Sequence, residues 1–515
     1  MIPKAGGLWK ASHFIWKTTF IRPQFQPYVR MSSSLIRDKA YINGQWTSAK
    51  SGATYNVTNP ATGEVVGTVP DMDVRDTVAA IETAYKRFQT FKKTTAKERS
   101  EKLKVAYRLI LGNIDELARI LTLENGKPLA ESKGEIMYGA SFCEWFAEEC
   151  RRVQGTIVPS PFPTKKIFTL KQPIGVCGMI TPWNFPNAMI TRKACAAIAA
   201  GCTVVLKPAE DTPLSALALC ELFDRAGIPA GVMNVVTCNR GNAPAIGKVL
   251  CESPLVSHIS FTGSSAVGKI LLRQSAETVK KCSMELGGNA PFIVFDSADI
   301  EVAVRSAMAC KFRCAGQTCV CANRFLVQEG IHDKFVEKLT ASIKQDVKIG
   351  NGMESGVTQG PLINKRAVDK VDSFVEDARK QGANVHVGGQ RSSLGDTFYE
   401  PTLLSGVTSD MLVSKEEIFG PVVGIAKFKT EEEAIILANG TSAGLAGYVF
   451  TSDASQQWRV AEALEYGIVG LNEGLFSCCE GTFGGFKESG LGREGGIGYG
   501  IEEYIEVKYL CMGMK

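Results

Sequence analysis

The sequence predicts an α/β protein in which a doubly wound parallel sheet is followed by a second α/β unit and by small exposed strands. Short apolar runs alternate with helical segments between residues 175 and 275, at the spacing of strand–helix–strand units. A similar alternation extends from about residue 289 to 483. Polar residues of the first unit fall at strand ends, where such sheets bind ligands.

Size and composition indicate a multidomain globular protein. The chain has 515 residues, of which 45% are hydrophobic and 22% charged. A net charge of +5 without a dense basic block past residue 40 argues against nucleic-acid binding, and no apolar run is long enough to span a membrane. The 16 Cys lack paired metal-ligand spacing and only four His are present, so we predict no metal site and a reducing compartment.

Residues 1–37 differ from the rest of the chain because they are basic, partly apolar and free of acids before Asp38. This composition predicts a transit peptide and a location in the mitochondrial matrix. A disordered cationic tail is the alternative. Translation from Met31 would give a cytosolic form.

The elements follow in order. Small strands and two long helices, around Val74–Phe91 and residues 96–124, are predicted first. The doubly wound unit has strands at 175–180, 203–206, 233–236 and 257–261, with helices at 189–200, 212–226 and 266–275. Exposed strands at 165–170 and 504–510 need partners in this chain or in another subunit.

The run from Phe312 to Cys321 contains a candidate nucleophile. A helical pattern from Ile300 to Phe312 stops at Gly316, and a polar turn then presents Cys319 before an apolar strand. Backbone N–H groups at such a junction can ionise a thiol, and the thiolate is the nucleophile. Most of the other Cys are expected to be small buried side chains.

Two further segments favour a dinucleotide. The turn from Gly263 to Gly268 joins a strand to a helix, where backbone donors suit a phosphate, although a plain tight turn is equally compatible. Lys207 and Glu210 end another strand and could bind ribose hydroxyls, or form an exposed ion pair. A carboxylate at Glu210 would favour NAD over NADP because it repels a 2′-phosphate.

Three other residues could act on a substrate or cofactor. Asn184 lies between prolines, which suits a rigid oxyanion donor or a turn hydrogen bond. Glu285 lies among apolar residues before Gly-Gly, where desolvation would make it a base near neutral pH, unless the hinge is solvated. Glu417, followed by Phe419, could hold a ribose and a flat ring, or belong to a solvated turn.

Together these segments resemble the aldehyde dehydrogenase superfamily over roughly residues 38 to 510. The resemblance implies that Cys319 is the nucleophile, Asn184 the oxyanion donor and Glu285 the base that activates the hydrolytic water. It also implies NAD as cofactor, bound by Ile180, Thr181, Pro182, Trp183, Lys207, Pro208, Ala209, Glu210, Gly263, Ser264, Gly268, Glu417 and Phe419.

The resemblance further implies a domain organisation. The expected parts are a transit peptide (1–37), a Rossmann-like NAD-binding domain (38–153 and 175–286), a catalytic domain (287–485) and a small β oligomerisation arm (154–174 and 486–515). A homotetramer built as a dimer of dimers is expected.

Within the superfamily the chain is similar to succinate-semialdehyde dehydrogenases, which implies a role in γ-aminobutyrate breakdown. A distal carboxylate on the substrate needs a cation, and we expect Arg192 and Arg313 to bind it with Ser477. Ordinary surface ion pairs are the alternative for both arginines. The bulky Phe476 and the adjacent Cys478 and Cys479 depart from the usual pattern.

Other functions remain open from the sequence: oxidation of glutarate semialdehyde or of a broader range of aldehydes, acylation of coenzyme A, or an inactive dinucleotide-binding scaffold. Retained Glu285 favours hydrolysis over acyl transfer to coenzyme A. Cys321, two residues after the nucleophile, could form a disulfide with Cys319 under oxidation if the loop bends, or could simply be a buried apolar residue.

Overall fold

A computed structural model describes residues 35–515. Up to residue 285 the strands are β1 (Ala40–Ile42), β2 (Gln45–Thr47), β3 (Thr54–Thr58), β4 (Val65–Pro70), β5 (Ile157–Val158), β6 (Lys165–Pro173), β7 (Val176–Ile180), β8 (Thr203–Lys207), β9 (Met233–Val235), β10 (Val256–Thr262) and β11 (Lys281–Glu285). The helices are α1 (Val74–Phe91), α2 (Ala96–Gly112), α3 (Ile114–Asn125), α4 (Leu129–Glu149), α5 (Ala188–Ala200), α6 (Pro213–Arg225), α7 (Ala243–Glu252) and α8 (Ser265–Ala276).

From residue 286 onward the strands are β12 (Ala290–Val294), β13 (Ala322–Gln328), β14 (Asn384–Val387), β15 (Thr402–Ser405), β16 (Val422–Phe428), β17 (Ala443–Gly444), β18 (Ala446–Phe450), β19 (Ile468–Leu471), β20 (Phe486–Lys487), β21 (Gly490–Leu491) and β22 (Ile505–Gly513). The helices are α9 (Ile300–Phe312), α10 (His332–Asp346), α11 (Lys365–Lys380), α12 (Leu412–Lys415), α13 (Glu431–Asn439) and α14 (Ala454–Ala463).

The first large sheet confirms the predicted doubly wound α/β class. Its order is β2-β1-β9-β8-β7-β10-β11-β21, and strands β9, β8, β7, β10 and β11 are parallel. The chain leaves β7 in one direction through β8 and β9 and returns to its other side at β10. Ligands bind beyond the carboxyl ends of strands at such a switch point, which places a site near Ile180 and Thr262.

The second large sheet, β14-β15-β16-β13-β12-β18-β19, is parallel except for its edge strand β14. Its core is aromatic, with Phe292 stacked between Phe325 and Phe450 at centroid distances of 4.8 and 4.4 Å. The first sheet has a separate core built on Met179, Leu206 and the small residues of α5. Each sheet therefore buries its own apolar faces.

One predicted helix, residues 96–124, is divided in the structure. The chain leaves the helical conformation at Asn113 (φ −118°, ψ 21°), which ends α2 and precedes α3. Gly112 and Asn113 are both weak helix formers, and this pair accounts for the break.

The predicted exposed strand is part of β6, and its partner is in the same chain. Strand β22 pairs antiparallel with β6 from Ile505 opposite Pro173 to Gly513 opposite Lys165, and β5 pairs on the other side. Apolar side chains on β22 remain exposed, among them Val507, Tyr509 and Met512.

The start of the chain is described only from Leu35. Most of the predicted transit peptide therefore lies outside the described residues. Leu35 is fully buried, and Arg37 forms an ion pair with Glu221 at 3.0 Å. Among residues 35–515, no helix is long and apolar enough to cross a membrane, and no group of three or more His, Cys, Asp or Glu could hold a metal ion.

Candidate active site

Cys319 lies in the loop between α9 and β13, at a cavity of about 300 Å³. The loop begins with two left-handed residues, Cys314 and Ala315, each with φ 52°. Non-glycine residues adopt this conformation only where neighbours hold them in it. The Glu131 carboxylate accepts the Cys314 N–H at 2.9 Å, and the Gln317 side chain donates to the Cys314 carbonyl at 3.1 Å.

The structure brings half of the predicted catalytic and cofactor residues to this cavity, and Glu285 is not among its lining residues. Its lining includes Pro182, Trp183, Asn184, Gly263, Ser264, Cys319, Glu417 and Phe419. These residues come from the ends of β7 and β10, the loop before β13 and the turn before β16. Segments far apart in the chain therefore meet at one site between the two sheets.

The Cys319 thiol is neutral in this environment. Burial, together with the negative charges of Glu417 and Glu285, raises its pKa to about 12, although Arg192 and the Val320 N–H favour the thiolate. A backbone N–H that favours the thiolate is present, as predicted, but burial outweighs it. The thiol proton must leave as the sulfur attacks.

Glu285 ends β11 and is buried, with one carboxylate oxygen lacking a hydrogen-bond partner among residues 35–515. Burial, reinforced by Glu494, raises its pKa well above the usual range. Burial also opposes ionisation of Glu494, but Lys193 and Arg192 keep the pKa of that carboxyl low. Of this coupled pair, Glu494 holds the charge and Glu285 holds the proton, so Glu285 becomes a base once it has lost that proton.

Gly288 allows Glu285 and the nucleophile loop to approach each other. A Cβ atom at this position would lie 2.3 Å from the Cys319 carbonyl oxygen. The backbone N–H of Gly288 itself donates to the Glu417 carboxylate at 3.0 Å. The Gly-Gly pair after Glu285 therefore belongs to the site itself.

Asn184 is buried and held beside the nucleophile. Its side-chain amide donates to the Gln317 carbonyl at 2.9 Å, two residues before Cys319. An amide nitrogen carries two hydrogens, so the second remains for another acceptor.

Sequence reasoning missed the residues that hold the Asn184 loop. The Lys127 ammonium, almost fully buried, donates to the Asn184 carbonyl and to Glu135, both at 2.6 Å. Glu135 also accepts the Asn187 N–H at 2.8 Å, and Asn125 donates to the Trp183 carbonyl at 2.9 Å. The only sequence signal was Glu131 and Glu135, two acids one helical turn apart shortly after Lys127.

The remaining cofactor candidates lie at the carboxyl ends of the first sheet. Lys207 ends β8 and is buried, and its ammonium lies 3.7 Å from the carboxylate of the half-buried Glu210. The two residues therefore form an ion pair that is largely buried, and not exposed as the alternative had it. Their binding of ribose remains a prediction. Ile180, Thr181, Pro208 and Ala209 flank the same edge, and the Thr181 hydroxyl is buried without a partner in the described chain.

Gly268 packs closely against the protein, and its predicted contact with the cofactor remains a prediction. It lies within α8, where a Cβ would approach a Leu286 methyl group to 2.4 Å, so its close contact is with the protein. Ser264 caps α8 by accepting the Val267 N–H. The N-terminus of this helix therefore opens toward the cavity, as expected for a pyrophosphate site.

Two aromatic side chains complete the lining of the cavity. Trp183 and Phe419 meet edge to face at 5.5 Å, and burial raises the pKa of the adjacent Glu417 to about 7. Carboxylates at the strand ends, a helix N-terminus and an aromatic pair beside a thiol fit a nicotinamide dinucleotide.

Residues 46–510 match the aldehyde dehydrogenase family. The chain belongs to this family. It is 55% identical over 511 residues to the human mitochondrial succinate-semialdehyde dehydrogenase, covering 99% of this chain and 95% of that protein.

Solved structures of the family share the fold. The succinate-semialdehyde dehydrogenase of Burkholderia pseudomallei is 54% identical with a TM-score of 0.92, covering 94% of this chain and 99% of that one. An NADP-dependent enzyme of E. coli is 53% identical with a TM-score of 0.92, covering 93% and 99%. The betaine aldehyde dehydrogenase of Staphylococcus aureus in complex with NAD+ is 35% identical with a TM-score of 0.90, covering 93% and 95%.

The two arginines that were predicted to bind the distal carboxylate of the substrate lie in different environments. Arg313 and Ser477 line two cavities, of about 10 and 200 Å³, and Arg313 lies over the Phe185 ring at 5.2 Å. No carboxylate lies within ion-pair distance of Arg313 in residues 35–515. Arg192 lines none of these cavities: its Nε lies 2.6 Å from Glu494, and its guanidinium lies over Phe483 at 4.1 Å.

Cys321 is buried, and its sulfur faces the Lys311 carbonyl at 3.5 Å. Both Cys319 and Cys321 are free thiols. The predicted disulfide between them therefore remains a prediction. Cys478, in the loop that carries Ser477, is exposed, whereas Cys479 is buried.

Proposed function

We propose that this protein oxidises succinic semialdehyde to succinate with NAD+ as the hydride acceptor. The observation that carries the proposal is Arg313, a cation that lines the cavities next to the Cys319 loop and has no carboxylate partner among residues 35–515. A planar guanidinium binds a carboxylate through two hydrogen bonds. A semialdehyde with a distal carboxylate would place its aldehyde toward the thiol.

The chemistry follows from the residues at the cavity. The Cys319 sulfur bonds to the aldehyde carbon as its S–H bond breaks, and the proton ends on the former aldehyde oxygen, which gives a thiohemiacetal. The free N–H of Asn184, with the Cys319 backbone N–H, stabilises the negative charge that develops on this oxygen. Bound NAD+ supplies the hydride acceptor for oxidation of this thiohemiacetal to a thioester. Glu285 then takes a proton from water, which attacks the thioester and releases the carboxylic acid.

The carboxylate at Glu210 supports NAD+ over NADP+ as the preferred cofactor. A carboxylate accepts a hydrogen bond from a free ribose 2′-hydroxyl and repels a 2′-phosphate. Overall similarity does not decide this preference, since the E. coli relative described as NADP-dependent is 53% identical.

Replacing Glu210 by Gln is expected to narrow the preference for NAD+. The ratio of kcat/KM for NAD+ to that for NADP+ should fall about tenfold, because the repulsion of a 2′-phosphate disappears. Steady-state kinetics with both cofactors measure the ratio. The same change at Glu462, exposed on α14, is the control and should leave the ratio unchanged. An unchanged ratio in the Glu210 variant would remove this residue from cofactor selection.

Replacing Arg313 by Met should lower kcat/KM for succinic semialdehyde about a hundredfold, because hydrogen bonds to charged groups contribute about 1.5–3 kcal/mol. Butanal, which lacks the carboxylate, should lose less than about threefold. Arg305→Met, on the exposed face of α9, is the matched control. If kcat/KM fell equally for succinic semialdehyde and butanal in the Arg313 variant, the result would argue against a contact between Arg313 and the substrate carboxylate.

Location and assembly are further parts of the proposal. Relatives named mitochondrial and the acid-free N-terminal segment favour the mitochondrial matrix. A homotetramer is supported by exposed apolar residues on β22, which would be covered by other subunits.

The proposal is tested with purified protein, NAD+ and a panel of aldehydes, following the absorbance of reduced nicotinamide and identifying the acid formed. We expect succinic semialdehyde to have a higher kcat/KM than the five-carbon glutaric semialdehyde. A preference for glutaric semialdehyde would reassign the substrate within the same class.

A further inference from the structure

Among the residues at the 200 Å³ cavity beside Arg313, Tyr138 has no part in the chemistry proposed for Cys319. Tyr138, on α4, lines this cavity together with Arg313, Ser477 and Phe185. Its hydroxyl is buried and has no hydrogen-bond partner in the described part of the chain. Buried hydroxyls are nearly always paired, so an unpaired hydroxyl on a residue that lines a cavity indicates a missing acceptor.

The Tyr138 ring is fixed in position. It meets Phe142 edge to face at 5.0 Å, and Phe142 in turn lies 5.3 Å from the Arg192 guanidinium. A rigid phenol holds its hydroxyl in one place with little loss of conformational entropy on binding.

The surroundings favour an anionic acceptor. Arg313, a cation, and Ser477, a hydroxyl donor, line the same cavity. Burial raises the pKa of Tyr138, so its hydroxyl keeps the proton that it would donate. Acids also line the cavity: Glu135 is neutralised by Lys127, and Glu131 accepts the Cys314 N–H, with a pKa that burial raises to about 7.

We propose that the Tyr138 hydroxyl donates a hydrogen bond to the distal carboxylate of the substrate and, with Arg313 and Ser477, selects a carboxylated aldehyde. This inference rests on the proposed function. It makes Tyr138 a specificity-determining residue that contacts the end of the substrate remote from Cys319.

Replacing Tyr138 by Phe removes one oxygen atom and keeps the ring that packs on Phe142. The KM for succinic semialdehyde should rise about tenfold with kcat nearly unchanged, since the contact is remote from the reacting carbon and is made equally in the ground and transition states. Kinetic constants for butanal should change less than about twofold. Tyr85→Phe, on the exposed surface of α1, is the matched control.

Inhibition gives a second measurement that does not depend on turnover of the carboxylated substrate. With butanal as substrate, the inhibition constant of succinate should rise about tenfold in the Tyr138→Phe variant, and that of butyrate should not change. The inference would be overturned if the Tyr138→Phe variant lost kcat/KM equally for succinic semialdehyde and butanal. It would also be overturned if the KM for succinic semialdehyde and the inhibition constant of succinate were both unchanged.

Failure of the inference and failure of the proposed function give different results. If the unmodified protein prefers butanal to succinic semialdehyde, the proposed function fails whatever the Tyr138 variant does. If it prefers succinic semialdehyde and the variant keeps the full preference, only the role of Tyr138 fails.

Discussion

Replacing Glu285 by Gln is expected to lower kcat about a thousandfold, because general-base catalysis contributes a factor of about 10²–10⁴. A single burst of reduced cofactor, close to one equivalent per subunit, should remain. Hydride release precedes the attack of water on the thioester, and only the second step uses this base. Rapid-mixing absorbance measures the burst, and intact-protein mass measures the acyl group accumulated on Cys319.

Cys319→Ala is the control and should show neither burst nor turnover, because it has no sulfur to acylate. The raised pKa of Glu285 adds a pH signature. A carboxyl whose pKa is raised is protonated below that pKa, so deacylation should accelerate as pH rises through it, and the Gln variant should lack this dependence. Loss of the burst in the Gln variant would instead assign Glu285 to activation of the thiol.

Replacing Lys127 by Met should destabilise the protein by about 3–5 kcal/mol, the usual effect of removing one partner of a buried ion pair. Glu135 would keep a buried charge without its counterion, and the Asn184 carbonyl would lose a donor. The shift in the denaturation midpoint measures the effect. We also expect a lower kcat, because the Asn184 loop loses an anchor.

Lys133→Met is the matched control for this change. Lys133 lies on α4, the helix that carries Glu135, and pairs with Asp115 at 2.6 Å on the surface, where an ion pair contributes only about 0–1 kcal/mol. Combining Lys127→Met with Glu135→Gln should recover part of the stability, because it removes the unpaired charge. If Lys127→Met lowered the free energy of unfolding only as much as Lys133→Met does, the buried pair would contribute little to stability.

The sequence was most informative where local pattern determines structure. Cys319, Asn184 and the turn at Gly263 lie at strand ends or loop junctions, and the topology of a parallel sheet brings such positions to one edge. The bounds of α1 and α9 likewise follow from their periodicity and boundary residues.

Contacts between distant segments could not be predicted in this way. Arg192 was expected at the substrate carboxylate, yet its closest charge partner is Glu494, about three hundred residues away in the chain. Lys127 was missed because its two partners come from α4 and from the loop before α5. The raised pKa of Cys319 has the same origin, since burial and the charges of Glu417 and Glu285, which are distant in the chain, outweigh the nearby backbone donor.

The central claim is that this family member acts on an aldehyde with a distal carboxylate. The most direct test is the ratio of kcat/KM for succinic semialdehyde to that for butanal, measured with NAD+ on the unmodified protein. Because charge-assisted hydrogen bonds to the carboxylate contribute about 1.5–3 kcal/mol each, we predict a ratio of at least about 100. A ratio near one would contradict the account.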